Sequence, residues 1–548
     1  MKTSDLLIQC LEKEGVKYIF ALPGEEIEDI LFSLEKSSIK IVIVRHEQGA
    51  SFMANIWGRI TGKAGVCLAT LGPGATNLIT GLADAHLDKS PVVAITGQGN
   101  VNRLHKESHQ LVDIVNMFKP IVKWNTSIHD ADTLSETVRK AFKLAQMEKP
   151  GVTHLEIPED IAGLKTLCTP LEPKILRRST PDYKAINESL KLLSSVQRPL
   201  IVAGNGAIRK RASKHLRLLV DKIGIPVVST FMGKGAISDK SSFSLYAMGL
   251  KGKDFPLYAI EQSDLILAVG YDVAEYDPVV WNPQKKPIIH IDFLPSEVYD
   301  YYDPKVEIVA DISATLWELN NQLGKKDFHF EKQWFVPVRR AIEKDLNHYE
   351  LNDTCRFTVP GVLLLLRRLI NDDDIIISDV GAHKIWIGRN FPVYNPGTCI
   401  ISNGFASMGI AVPGGIAAKL ACPEKNVIAV CGDGGFLMNS QEIETAKRIG
   451  VGYTILILND NDYGLISWKQ KTHVQKSFGT VISNPDFKKY AESFGVNAYM
   501  PRTKSDLETA LRKSIHTNEV NIIAVDIDPS ENVRLSEKLN SDLSTLLI

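Results

Sequence analysis

Two acidic residues at a defined spacing are the strongest chemical signal in this chain. In "VIAVCGDGGFLMNSQEIETAKRIGVGYTILILNDNDYG", residues 427–464, one apolar run meets Gly432-Asp433-Gly434-Gly435 and a second ends at Asp460-Asn461-Asp462. Short Val- and Ile-rich runs bounded by turn residues read as strands, and the amphipathic stretch between them as a helix reaching about Gly450. In a right-handed βαβ unit both strands point the same way, so Asp433 and Asp460 emerge together at the carboxyl edge, where open α/β sheets bind ligands. Two carboxylates sharing a crevice repel unless a cation lies between them, and hard oxygen donors in a small glycine-lined space suit Mg2+. The glycines also leave amides free for a phosphate at the helix start. Either motif alone is an ordinary tight turn; together they predict a magnesium-bridged diphosphate site.

A third carboxylate stands apart. "VIVRHEQGAS", residues 42–51, places Glu47 between a strand-like run and a helix start rich in small and apolar residues, with Ala50, Phe52, Met53 and Ala54 following. A carboxylate at a helix start is favoured by the helix dipole whatever its function. In an apolar pocket, desolvation raises the pKa of such a group and keeps a proton available for acid–base work.

Positioning these side chains requires several strands in one register. Apolar runs recur along the chain, including "IKIVIV", "GVCLAT", "PVVAITG", "PLIVAGNG", "IPVVST", "LILAVG", "PIIHID", "DIIISD", "TCIIS" and "NIIAVDID", with longer amphipathic stretches between them. Continuous apolar strands alternating with helices describe parallel sheets covered on both faces, so the expected class is α/β. The rhythm breaks in a Pro-rich, charged stretch at 169–185 and again at 324–340, which sets expected domains at 1–165, 185–325 and 355–535. The C-terminal "SEKLNSDLSTLLI" reads as a docking tail or a frayed end.

Composition removes several function classes. The 548 residues carry 63 basic and 64 acidic side chains, a balance that points to no nucleic-acid partner. No run reaches about 18 uninterrupted apolar residues, and the charged N-terminus lacks a signal-peptide core, so neither membrane insertion nor secretion is expected. Seven scattered cysteines without a C-x-x-C pair argue against a disulfide framework and a zinc site, and fit a reducing cytoplasm.

The 27-residue separation of Asp433 and Asp460 resembles the metal and diphosphate motif of thiamine-diphosphate enzymes. That resemblance implies three doubly wound parallel-sheet domains: pyrimidine-binding, central and diphosphate-binding. It makes the side chains of Asp433 and Asp460 and the backbone carbonyl of Asp462 the metal ligands. It gives Glu47 the task of protonating the cofactor's pyrimidine ring, so that the aminopyrimidine can take the proton of the thiazolium carbon. "ISNGFASMGIAVPGG" (401–415) resembles the segment in which a bulky apolar residue, here Met408, props the cofactor into its bent shape while the Ala406 carbonyl holds its amino nitrogen. Gly381, Ala382 and His383 of "SDVGAHKIW" resemble the diphosphate-contacting turn. Pro73, Asn77, Gly432, Gly434, Gly435, Tyr463, Gly464 and Leu465 complete the implied cofactor contacts.

Over nearly the whole chain the resemblance is closest to acetolactate synthase large subunits. It rests on "LPGEEI", "RHEQGASFMANIWGRITGKAGVCLATLGPGATNLITGLADA", "HKESHQLVDIVNMFKPIVKW", "GYDVAEYDPVVWN" and "SDVGAHKIWIGRNF". Such enzymes decarboxylate one pyruvate and add the two-carbon carbanion to a second, giving 2-acetolactate and CO2. Pyruvate decarboxylase-like relatives carry a His-His pair near His109-Gln110; the His-Gln pair here favours carboligation and places Gln110 beside the substrate. The anabolic branch binds FAD through an Arg-Phe-Asp-Asp-Arg stretch, where this chain reads "VGYDVAEYDP" (269–278), so FAD is not expected. The resemblance further implies a homodimer or homotetramer with sites at the dimer interface.

One departure touches the substrate. Many catabolic members have Ala-Lys after the first Pro-Gly, whereas this chain has Glu25-Glu26. Two acids beside a 2-ketoacid repel it by ~1 kcal/mol or more per close pair near a protein surface, unless a cation such as Lys469 or His109 handles the carboxylate. A decarboxylase or lyase on another 2-ketoacid is therefore the alternative within the fold, and a non-catalytic thiamine-diphosphate-binding subunit the alternative outside catalysis. The retained Glu47, Asp433 and Asp460 argue against the latter.

Overall fold

The computed structural model describes residues 1–175, 177–250, 254–323, 328–353 and 356–540. Cys355, the expected domain limits at 325 and 355, and the last eight residues of the C-terminal tail lie outside them.

Three six-stranded parallel sheets follow one another along the chain. The first holds β1 (Tyr18–Ala21), β2 (Lys40–Ile43), β3 (Gly65–Ala69), β4 (Val92–Gln98), β5 (Trp124–Ser127) and β6 (Val152–Pro158), in the order β2-β1-β3-β4-β6-β5. The second holds β7 (Pro199–Ala203), β8 (Val227–Ser229), β9 (Ser244–Ala247), β10 (Leu265–Val269), β11 (Ile288–Asp292) and β12 (Pro304–Val309), in the order β12-β11-β10-β7-β8-β9. The third holds β13 (Ile375–Ser378), β14 (Cys399–Ile401), β15 (Val427–Gly432), β16 (Thr454–Asn459), β17 (Asn497–Tyr499) and β18 (Asn521–Asp526), ordered β14-β13-β15-β16-β18-β17. Counted within each sheet, the first and third share one strand order, so the α/β class holds with a repeated outer architecture.

Six strands escape the apolar-run pattern: β1, β5, β6, β9, β12 and β17. Four of these are edge strands, which pack against one neighbour and tolerate polar residues. β6 is interior, yet carries Thr153, His154 and Glu156, all buried. His154 Nε2 lies 2.9 Å from Thr96 Oγ1, and Glu156 accepts from Gln98 Nε2 at 3.0 Å, so both side chains find a partner on β4, while His154 Nδ1 has none. The single helix expected after Asp433 is two, Asp433–Asn439 and Glu442–Arg448. The break falls where Asn439 Nδ2 donates to Gly409 O at 2.9 Å and Gln48 Oε1 at 3.0 Å.

The outer units pack through the helix Glu47–Thr61. Its start is capped by His46, whose Nδ1 accepts from Gln48 N at 3.1 Å, and it ends at Gly62 in the left-handed region, φ 66°. Small residues let neighbouring helices approach closely: a Cβ at Gly81 would lie 2.1 Å from Ser51 Oγ. One apolar core runs continuously from Phe52, Ile56 and Leu78 to Ile377, Ile416 and Ile457, so the two sheets are welded rather than hinged.

Candidate active site

β15 and β16 are adjacent and parallel, with Gly432 beside Leu458, so Asp433 and Asp460 leave the sheet at the same edge. Asp433 opens the helix that follows β15. Its Oδ1 accepts from Gly434 N at 3.0 Å and its Oδ2 from Asn461 N at 2.9 Å. Burial raises the Asp433 pKa against these bonds. Burial, then the Asp433 charge, pushes Asp460 up to about 7. A Cβ at Gly464 would stand 2.4 Å from Asp460 Oδ2, which leaves glycine as the residue that fits there.

A cavity of about 190 Å3 opens at this edge. Gly432, Asp433, Gly434 and Gly435 form one wall, and Asp460, Asp462, Tyr463, Gly464 and Leu465 the opposite one. Gly381, Ala382 and His383 enter from the end of β13, and Ala406 and Met408 from the loop after β14. Ala406 adopts φ 58°, a left-handed conformation that is uncommon outside glycine and is found where surrounding structure enforces it. Burial holds the His383 imidazole down at about 4, and its Nε2 has no partner. Asp462 Oδ1 is likewise buried without a partner.

Glu47, Pro73, Asn77 and Gln110 do not line this cavity; they gather at the edge of the first sheet. Glu47 is the first residue of its helix and is buried. Asn77, one turn into the helix Pro73–Leu87, donates from Nδ2 to Glu47 Oε2 at 3.0 Å. Gln110, at φ 60°, packs its backbone over Gly72, where an added Cβ would lie 2.5 Å from Gln110 O. Glu26 Oε2 accepts from Thr70 Oγ1 at 2.6 Å, while Glu25 is exposed.

Two residues that sequence reasoning missed hold these groups. Asn484 Nδ2 reaches Asp433 Oδ2 at 2.6 Å and the side-chain oxygens of Asn459 and Asn461 at 3.0 Å. Glu442, fully buried, accepts from Arg45 N at 3.0 Å and His46 N at 3.1 Å, and so clamps the turn leading into Glu47 from the other outer unit. Neither sits in a recognisable motif; in sequence Glu442 reads as an ordinary helix acid.

Family models match in sequence order: a thiamine pyrophosphate enzyme N-terminal TPP binding domain over residues 1–117, a central domain over 186–319 and a C-terminal TPP binding domain over 379–525. Full-length relatives match as well. The acetolactate synthase of Bacillus subtilis is 32% identical over 99% of this chain and 96% of its own length. The chain belongs to the acetolactate synthase family of thiamine pyrophosphate enzymes. A catabolic acetolactate synthase of Raoultella terrigena is 32% identical, covering 98% of this chain and 97% of its own. A probable acetolactate synthase large subunit of Methanocaldococcus jannaschii is 33% identical, with 97% and 93% covered. Membership of this family makes the three sheets a thiamine-pyrophosphate enzyme fold and the chain a thiamine-diphosphate-dependent carboligase. Among the described residues, no helix is long and apolar enough to cross a membrane.

Proposed function

We propose that this chain is an acetolactate synthase that joins two pyruvates into 2-acetolactate with release of CO2, using thiamine diphosphate and Mg2+ and no FAD. The observation that carries the reading is the cavity in which the Gly432–Gly435 turn faces Asp460 and Asp462 at the edge of a sheet welded to the one bearing Glu47. Thiamine diphosphate, when bound, supplies the acidic carbon that adds to the first ketoacid and carries its two-carbon unit to the second.

The side chains fit a dication. Burial raises both Asp433 and Asp460, the Asp433 charge raises Asp460 further, Asp462 has a buried oxygen without a partner, and the adjoining glycine turn suits a diphosphate. Among the described residues no three His, Cys, Asp or Glu side chains form a metal cluster. In this reading the side chains of Asp433 and Asp460 and the carbonyl of Asp462 would hold the ion beside the diphosphate. Gly381, Ala382 and His383 border the diphosphate, and Ala406 and Met408 hold the aminopyrimidine. Glu47, oriented by Asn77, is the carboxyl offered to the pyrimidine ring. Gln110 faces the substrate.

Glu47 lies outside the cavity of its own chain, which supports a homodimer or homotetramer in which each site takes Glu47 from one protomer and the metal turn from another. Support for the absence of FAD comes from the second sheet. After β7, the amide of Asn205 donates to both oxygens of the buried Glu275 carboxylate, at 2.9 and 3.2 Å, where a dinucleotide phosphate would sit. Lys149 bridges Asp272 and Asp292 at 3.2 and 3.1 Å, occupying the neighbouring acids. The described cysteines are all free, in keeping with a cytoplasmic location.

The test is product identification from pyruvate, thiamine diphosphate and Mg2+ without FAD. Acetolactate equimolar with CO2 is expected. Acetaldehyde as the organic product would overturn carboligation in favour of decarboxylation, and the absence of turnover would point to another 2-ketoacid.

A further inference from the structure

A cluster of buried charge lies between the first and third sheets, away from the metal turn. Asp84 and Asp88 stand one turn apart at the end of the helix Pro73–Leu87, and both side chains are essentially inaccessible. Asp84 accepts from Asn55 Nδ2 at 2.8 Å, from Ser402 Oγ and, more loosely, from Ser407 N at 3.4 Å. Asp88 is paired with the half-buried Arg59 at 3.0 Å and accepts from Gly404 N at 2.7 Å and Asn403 N at 3.3 Å. Lys384, buried beside them on the helix Ala382–Asn390, carries a charge that both carboxylates feel.

Every one of these acceptor contacts outside the first unit falls on the loop Ser402–Ser407, on either side of Ala406. The far end of the loop is fixed by a third buried carboxylate, Asp379, which accepts from Gly409 N at 2.9 Å and Ala411 N at 3.0 Å. The second unit adds two bonds: Asn403 Nδ2 to Glu275 O at 2.7 Å, and Asn205 Nδ2 to Asp88 O at 2.9 Å. A left-handed alanine is unfavourable by itself and persists only where its neighbours over-determine it. Here the flanking amides and hydroxyl are gripped by acids that belong to another unit of the fold.

We propose that Asp84 and Asp88 are positioning residues of the active site, holding the Ser402–Ser407 loop across the unit boundary in the left-handed turn that presents Ala406 and Met408 to the cofactor. The proposal rests on the cofactor reading of Ala406 and Met408 given above. Its physical content is that two acids are buried close together, an unfavourable arrangement, to fix one backbone conformation. The same helix carries Asn77 near its start, and Asn77 holds Glu47, so a single rigid element bears on both groups of site residues.

The experiment compares Asp84→Asn, Ser402→Ala and Met408→Ala in the full-length chain. Ser402→Ala removes one Asp84 contact without touching a charge, so it serves if Asp84→Asn folds poorly. Three quantities are read: amide exchange of the 402–411 segment without cofactor, the near-ultraviolet circular dichroism of bound thiamine diphosphate, and kcat against KM for pyruvate. Expected are faster exchange and an altered cofactor band in Asp84→Asn and Ser402→Ala, with kcat down between about ten- and a hundredfold for Asp84→Asn and KM little changed. Wild-type exchange and kcat in both variants would overturn the proposal, as would a loss of activity that only tracks the unfolded fraction. An altered band in Met408→Ala beside wild-type behaviour of Asp84→Asn overturns the clasp and leaves the cofactor reading standing. An unaltered band in Met408→Ala overturns the cofactor reading of the loop and the proposal with it.

Discussion

The first and third sheets share a strand order, and equivalent strand ends supply every candidate site residue, yet the two edges carry opposite chemistry. β1 leads into Glu25-Glu26 and its counterpart β13 into Gly381-Ala382-His383; β2 leads into Glu47 and β14 into Ala406 and Met408. β3 leads into Pro73 and Asn77 where β15 leads into Asp433, and β4 precedes Gln110 where β16 precedes Asp460. One edge offers paired acids and glycine amides, fit for a dication and a diphosphate. The other offers, besides Glu25-Glu26, the Glu47 carboxyl steadied by an amide, fit for a neutral ring. Topology decides where a group stands; the residue placed there decides what it binds. The middle sheet sharpens the contrast: counted within itself its order is 3-2-1-4-5-6, that of dinucleotide-binding folds, but its switch point is filled by Glu275.

If the two edges divide the work in this way, damage to them should differ in kind. Asp460→Ala should show the largest effect, with turnover falling to background and bound thiamine diphosphate and Mg2+ lost together, as measured by metal analysis and cofactor content. Retention of both at wild-type levels would break the assignment of the third-sheet edge. Glu47→Ala should keep both ligands and lower kcat by about 10²–10⁴-fold, the range of a lost acid–base group. Proton exchange at the cofactor's acidic carbon is the direct readout, and an unchanged exchange rate would remove Glu47 from the mechanism.

The parts of this arrangement legible in the sequence were those in which several residues must agree. Gly432-Asp433-Gly434 and Asp460 announce themselves because a strand, a glycine turn and an acid recur at a spacing that one βαβ unit explains. Twelve strands read out as apolar runs, and all of them but the edge strand β2 are buried on both faces. β6 did not, since its buried His154 and Glu156 pair with Thr96 and Gln98 on β4, far away in sequence, and its Thr153 donates to the Ala141 carbonyl of the preceding helix. Asn484 was invisible for a related reason. It follows the segment Thr480–Ile482, whose backbone pairs with Asn461 and Tyr463, and nothing local announces that pairing. Asp84, Asp88 and Glu442 read as ordinary helix acids; only packing turns them into clamps between units.

The filled switch point of the middle sheet makes a prediction of intermediate size. Burial pushes the Glu275 carboxyl up to about 7 from an ordinary 4.5, in spite of the bonds donated by Thr230 and Asn205. Between those values the folded protein holds a proton that the unfolded chain has lost. The associated stability is complete below pH 4.5 and disappears as the pH rises through 7, a change of about 3 kcal/mol. Glu275→Gln should flatten that dependence, measured as denaturation midpoints between pH 5 and 8. A variant that kept the wild-type slope would place the titration elsewhere.

The smallest effect is expected where the first edge departs from its relatives. Glu25 and Glu26 stand at one strand end, but they are not equivalent. Glu26 is tied to Thr70, which shares its charge and fixes its direction, whereas Glu25 is exposed. An exposed carboxylate repels an approaching 2-ketoacid through water, so the interaction is weak and salt shields it within a Debye length of about 10 Å at 0.1 M. Glu25→Ala should therefore lower KM for pyruvate by no more than about fivefold at low ionic strength, with kcat unchanged. Repeating the measurement in 0.5 M KCl should erase the difference, because field repulsion is screened and a direct contact is not. A gain that survives salt would mean that Glu25 touches the substrate, and the first edge would then select the ketoacid as well as house the ring.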